Sequence, residues 1–141
     1  MFRNSRLTGA FLAGFFCLLS SAHAASLGKN PAAGLVRATD GSLYGTTANG
    51  GTNDLGTVYK VDGESGLVTT LINFTGVAGA NPGSTPLAPL IFGTDGKLYG
   101  TTSEGGANNF GTVFRVSVSG VMELLYAFGT NNSDGAIRKG N

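Results

Sequence analysis

The sequence predicts an all-β fold: two tandem, four-stranded, antiparallel, propeller-like blades, an incomplete β-propeller that follows a secretory signal peptide. Three observations lead there. First, the chain repeats itself at an offset of 55 residues, and Pro31–Val61 matches Pro86–Val116 at 18 of 31 positions without a gap. A fixed period of this size marks a repeat architecture. Second, the 24 glycines recur in register with Val, Leu and Tyr, which favours short strands with tight turns over a flexible linker. Third, apolar residues follow a period of two. Helix is a poor rival, because each glycine inside one costs about 1 kcal/mol relative to Ala.

The chain opens with a targeting pattern. Arg3 and Arg6 precede an apolar run from Leu7 to Leu19, and Ala22-His23-Ala24 is a small-x-small site. That is the three-part form of a signal peptide over residues 1–24, with cleavage after Ala24. The run is too short for a membrane span of roughly 20 residues. Cys17 lies within it behind Phe16, where a lipoprotein needs a small residue. The reading is export across the inner membrane to the periplasm or the exterior.

Removal of this segment changes the chemistry on offer. Cys17 and His23 are the only cysteine and histidine, and both leave. The remaining chain has seven basic and eight acidic residues. It has no basic patch for nucleic acid, no disulfide and no second apolar span. A Ser-His-Asp or Cys-His nucleophile is excluded in it, as are the usual zinc sites. A carboxylate pair remains formally open, but Asp54 is matched by Asn109 and Glu104 by Asn49, so the acids read as solvated surface charge.

The first repeat spans 25–84. Its first strand is about Leu35 to Ala38. Asp40-Gly41 makes a tight turn, since an Asp-Gly pair supplies the positive backbone angles that short hairpins need. Leu43, Tyr44, Gly45, Thr46 and Thr47 form the second strand, rich in β-branched and aromatic residues. A loop with Gly50, Gly51, Asn53 and Asp54 follows. The third strand runs from Thr57, after Gly56, to Val61. A turn over 62–66 leads to a fourth strand, about Leu67 to Phe74, in which Val68, Thr70, Ile72 and Phe74 share one face by alternation.

The second repeat spans 85–141 and is truncated at its end. Its strands are Leu90 to Gly93, Leu98 to Thr102, Thr112 to Val116 and Val121 to Phe128. The turn Asp95-Gly96 precedes Leu98, Tyr99, Gly100, Thr101 and Thr102. Gly105-Gly106 and Gly111-Thr112 follow in order. Met122, Leu124, Tyr126 and Phe128 are placed on the matching face. Four antiparallel strands per repeat is the form of a propeller blade.

These repeated residues read as structural. Gly45 and Gly100 mark a bend or close approach inside a strand, and the paired loop glycines supply turn angles. A phosphate cradle needs a following helix and a Lys-Ser or Lys-Thr that are absent. Tyr44, Tyr99, Tyr59 and Phe114 read as packing between blades, with a stacking platform for a flat ligand as the sharper alternative. Asp40 and Asp95 read as turn residues. A calcium site with Asn53, Asp54, Asn108 and Asn109 is the alternative, but no dense Asp-x-Asp-x-Asp loop is present. No catalytic, cofactor-binding or metal residue is assigned.

The order Asp-Gly-x-Leu-Tyr-Gly-Thr-Thr, Gly-Gly, Gly-Thr-Val-aromatic resembles the GloVer tandem repeat of secreted bacterial proteins. It stands at Asp40–Thr47, Gly50-Gly51 and Gly56–Tyr59, and again at Asp95–Thr102, Gly105-Gly106 and Gly111–Phe114. The resemblance implies propeller-like repeats in many copies, varied C-terminal surface anchors and no established activity. This chain departs from it with two copies and no anchor near Asn141, which fits a fragment. Two blades leave two open faces. The expected partners are an unknown ligand, and either further copies or further repeats that close a ring. The leading function is a secreted non-enzymatic module, structural or ligand-binding. The alternative is a fragment of a larger secreted propeller enzyme acting on polysaccharide.

Overall fold

A computed structural model describes residues 27–130. The predicted signal peptide, with Cys17 and His23, lies outside the described residues, as does the end of the second repeat from Asn131 onward. Among the described residues there is no helix, hence none long and apolar enough to cross a membrane. Among the described residues ten strands form three antiparallel sheets, none of them closed.

Strand β1 (Gly28–Lys29) pairs with β4 (Asn49–Gly50). The second sheet has the order β2 (Val36–Arg37), β3 (Leu43–Thr47), β5 (Thr57–Val61) and β6 (Val68–Asn73). The third has β7 (Ile91–Phe92), β8 (Leu98–Thr102), β9 (Thr112–Val116) and β10 (Met122–Ala127). The four long inner strands coincide with the expected ones. The small β1–β4 sheet was not expected, since Gly50 was assigned to a loop. The second copy has its counterpart in an isolated bridge, Ser84 to Glu104, at the positions of Lys29 and Asn49.

The outer strands correct the expected face assignment. In β6, Ile72 lies opposite Val58 but Thr70 lies opposite Tyr59, so Leu71 is an extra residue. Such a bulge resets the period-two alternation by one. Val68 and Thr70 therefore share a face with Val61 and Tyr59, not with Ile72. In β10 the extra residue is Leu125, and Tyr126 joins Val113 while Met122 and Leu124 join Val116 and Phe114.

The two four-stranded sheets share one core. It holds Tyr44, Val58, Ile72 and Phe74 from the first copy and Leu90, Leu98, Phe114 and Val116 from the second. The pairings put Tyr44, Val58 and Ile72 on one face of the first sheet. They put Leu98, Phe114 and Val116 on the opposite face of the second. Equivalent positions therefore have different surroundings: Tyr44 is 1% exposed, while Tyr99 is half-buried.

Candidate functional site

The repeated glycines have two distinct physical causes. Gly45 and Gly100 lie directly opposite Tyr59 and Phe114 in their ladders. A Cβ on Gly100 would stand 2.6 Å from Phe114 Cζ and 2.7 Å from Leu90 Cδ2, and one on Gly45 would stand 2.6 Å from the Tyr59 hydroxyl. The close approach is that of a ring across the strand. The loop glycines differ. Gly50 and Gly105 have φ of 81° and 79°, and a Cβ there would meet the backbone of Lys29 at 2.6 Å and of Gly83 at 2.5 Å. Both angle and space demand glycine there. Gly51, Gly106, Gly56, Gly111, Gly41 and Gly96 also have positive φ in their loops and turns.

Threonines close each loop in the same way twice. Thr47 Oγ1 donates to the Asn49 carbonyl at 2.9 Å and lies 2.8 Å from Thr57 Oγ1. Thr102 Oγ1 donates to the Glu104 carbonyl at 2.8 Å and lies 2.7 Å from Thr112 Oγ1. A hydroxyl has one proton. Since Thr47 and Thr102 each give theirs to a carbonyl, Thr57 and Thr112 donate to them. Thr46 is buried and its hydroxyl has no partner among the described residues, while Thr101 is exposed. Leu43 is half-buried and Leu98 fully buried.

Of the acidic and amide residues considered for calcium, Asp40, Asn53, Asp54, Asp95 and Asn109 have hydrogen-bond partners of their own. Asp54 and Asn109 each accept the N–H of Gly50 and Gly105 at 2.8 Å. Both have φ near 60°, a left-handed conformation that Asp and Asn tolerate. Asn53 donates through Nδ2 to the Phe74 carbonyl at 2.9 Å. Asp95 accepts the N–H of Lys97 at 3.1 Å and the Tyr99 hydroxyl at 2.9 Å. These bonds hold its carboxyl below the usual range. Among the described residues no three His, Cys, Asp or Glu stand together in a metal-holding group.

A cleft of about 480 Å³ with mixed chemistry opens where the two sheets meet. The first copy lines it with Arg37, Asp40, Tyr44 and Lys60, and the second with Phe92 and Val118. Asp40 accepts the N–H of Ser42 at 2.9 Å, which leads in keeping its carboxyl below the usual range; the Ser42 hydroxyl at 3.1 Å and Lys60 Nζ at 3.9 Å assist. Lys60 Nζ lies 5.9 Å from the Tyr44 ring centroid, and Phe92 meets that ring edge-on at 5.6 Å. Tyr44 is covered by Phe92, so cations, an anion and the half-buried Phe92 ring are what the cleft offers, and these suit binding by charge with an apolar contact beside it. Arg37, Lys60 and Phe92 were not singled out from sequence. Their signal lay in comparing the copies: Lys60 is matched by Arg115, a basic residue both times, and Arg37 is replaced by Phe92.

No curated protein and no solved structure matches the chain. Residues 12–141 match the Gloeobacter/Verrucomicrobia repeat. That span takes in both copies of the threonine-closed loop and of the glycine beneath its ring, and the chain belongs to this repeat family.

Proposed function

We propose that the protein is a secreted, non-enzymatic repeat module of two propeller-like blades, with a structural or ligand-binding role. The carrying observation is how the repeated side chains are engaged. Thr47, Thr57, Thr102 and Thr112 close loops, Asp95 and Asp40 hold turns, and Leu98, Phe114 and Val116 build the shared core. The four strands of each copy run in the blade order of sequential antiparallel neighbours. The ligand-binding form of this reading places a charged molecule in the cleft against Arg37, Asp40, Lys60 and the half-buried Phe92.

Two measurements test it. Protein recovered from the medium or periplasm should begin at Ala25 on N-terminal sequencing; retention of residues 1–24 would remove the secretion. The purified protein should release no reducing sugar from a panel of polysaccharides. Turnover that follows the protein through purification would favour the enzyme reading instead.

A further inference from the structure

Each repeat has two faces, and the fold covers a different one in each copy. The first copy buries Tyr44, Thr46, Val58 and Ile72. The second buries Leu98, Phe114 and Val116 on its other face, with Leu90 beside them. At matched positions the remaining faces are open. Leu35 is 52% exposed where Leu90 is 2%, and Tyr126 is 36% exposed where Ile72 is 2%. Thr101 is exposed where Thr46 is buried, and Tyr59 is half-buried where Phe114 is fully covered. The molecule thus carries both halves of an interface that it already makes once.

We propose that a second copy of this chain docks head to tail, its first repeat covering the open face of the second repeat. The contact repeats the geometry that joins the two repeats inside one chain. This inference rests on the reading of the protein as a repeat module.

The residues fit that superposition. Inside the chain, Phe74 meets Phe114 edge-on with centroids 5.3 Å apart. The matching pair across the new contact is Phe128 with the second copy's Tyr59, aromatic on both sides. Inside the chain, Tyr44 meets Phe92. The matching pair is Tyr99 with the second copy's Arg37. There Arg37 would face a tyrosine ring whose hydroxyl bonds the Asp95 carboxylate. The arginine is thus met by an aromatic face and the Asp95 carboxylate, while Arg115, across the strand from Tyr99, has its own charge held by Glu123. Such a contact joins different surfaces of the two copies, so it closes into a ring or propagates as a filament.

The test uses two variants that each block one face. Leu35→Lys places a charge on the open face of the first repeat, and Thr101→Lys places one on that of the second. Both residues are exposed, and far-UV circular dichroism confirms that each variant keeps its β content. Light scattering on a sizing column should find wild-type protein assembled. Each variant alone should be monomeric, its association weakened at least ~100-fold, because a lone charge would be buried at the contact. An equimolar mixture should form a dimer, since one intact half remains on each partner. A folded wild type that stays monomeric at about 100 µM, well above the micromolar constants of weak complexes, overturns the docking and leaves the non-enzymatic reading standing. Variants that assemble like wild type, or a mixture that stays monomeric, overturn it as well. Polysaccharide turnover would remove the non-enzymatic reading without altering the masses.

Discussion

Phe74 and Phe114 meet edge to face across the junction of the two repeats, with ring centroids 5.3 Å apart and planes at 71°. Both are fully buried, and Phe114 is the aromatic that lies over Gly100. One ring therefore serves the ladder of its own sheet and the contact with the other sheet. Phe114→Ala should cost about 3–5 kcal/mol, the usual range for emptying a buried phenylalanine site. Tyr59→Ala, at the matched position on the open face, should cost clearly less. Urea unfolding in the Thr101→Lys background, where assembly is blocked, measures both.

Gly100→Ala should destabilise by about 1–3 kcal/mol, as overpacking does. Its Cβ would meet Phe114 Cζ at 2.6 Å, and that ring is fixed in the core. Gly45→Ala should be milder, because the nearest atom is the Tyr59 hydroxyl at the far end of a half-buried side chain. A larger loss at Gly45 would mean that Tyr59 is held as firmly as Phe114.

Thr102→Val should cost more than Thr112→Val. The Thr102 hydroxyl serves the Glu104 carbonyl, the Thr112 N–H at 3.0 Å and the Thr112 hydroxyl. Its loss leaves buried groups unpaired, at about 1–3 kcal/mol. Thr112→Val removes one donor and leaves Thr102 bonded to Glu104. Thermal melts of the two variants rank them, and equal losses would contradict the donor assignment.

Stability should be level near neutral pH and fall on acidification. Asp62 is held below the ordinary 3.8 chiefly by the N–H of Ser65, with the Ser65 hydroxyl and the Glu64 N–H assisting. Asp40 and Asp95 are lowered likewise. A lowered folded value means that the folded state holds fewer protons than the unfolded chain in acid. The contribution is full above 3.8, the unfolded value, and is lost as pH falls through the lower folded values. Urea midpoints compared at neutral pH and below about pH 4 should show the fall. Asp62→Asn should flatten part of it, since the neutral amide does not titrate.

Local structure was legible where short-range chemistry decides it. Leu43–Thr47, Thr57–Val61, Leu98–Thr102 and Thr112–Val116 were readable because β-branched residues between glycine turns leave few alternatives. The bulges at Leu71 and Leu125 were not, because an extra residue in an outer strand leaves no mark in the alternation and is set by the partner strand. The β1–β4 pairing was missed for a similar reason. Gly28 and Gly50 are 22 residues apart, and their contact depends on the fold of the loop between Thr47 and Thr57.

The cleft was the least legible part, since Arg37, Lys60 and Phe92 come from different strands in two sheets. By itself the sequence determined the all-β class, the two copies, the strand centres and the turns. These follow from backbone preferences and side-chain alternation within a few residues. The tertiary structure alone decided which face of each copy is covered. Tyr44 and Tyr99 stand in the same pentapeptide, Leu-Tyr-Gly-Thr-Thr, and only Tyr44 has a neighbouring sheet against its ring. Identical neighbours in the chain give identical strands, but burial depends on what lies across the sheet, and each copy has its neighbour on a different side.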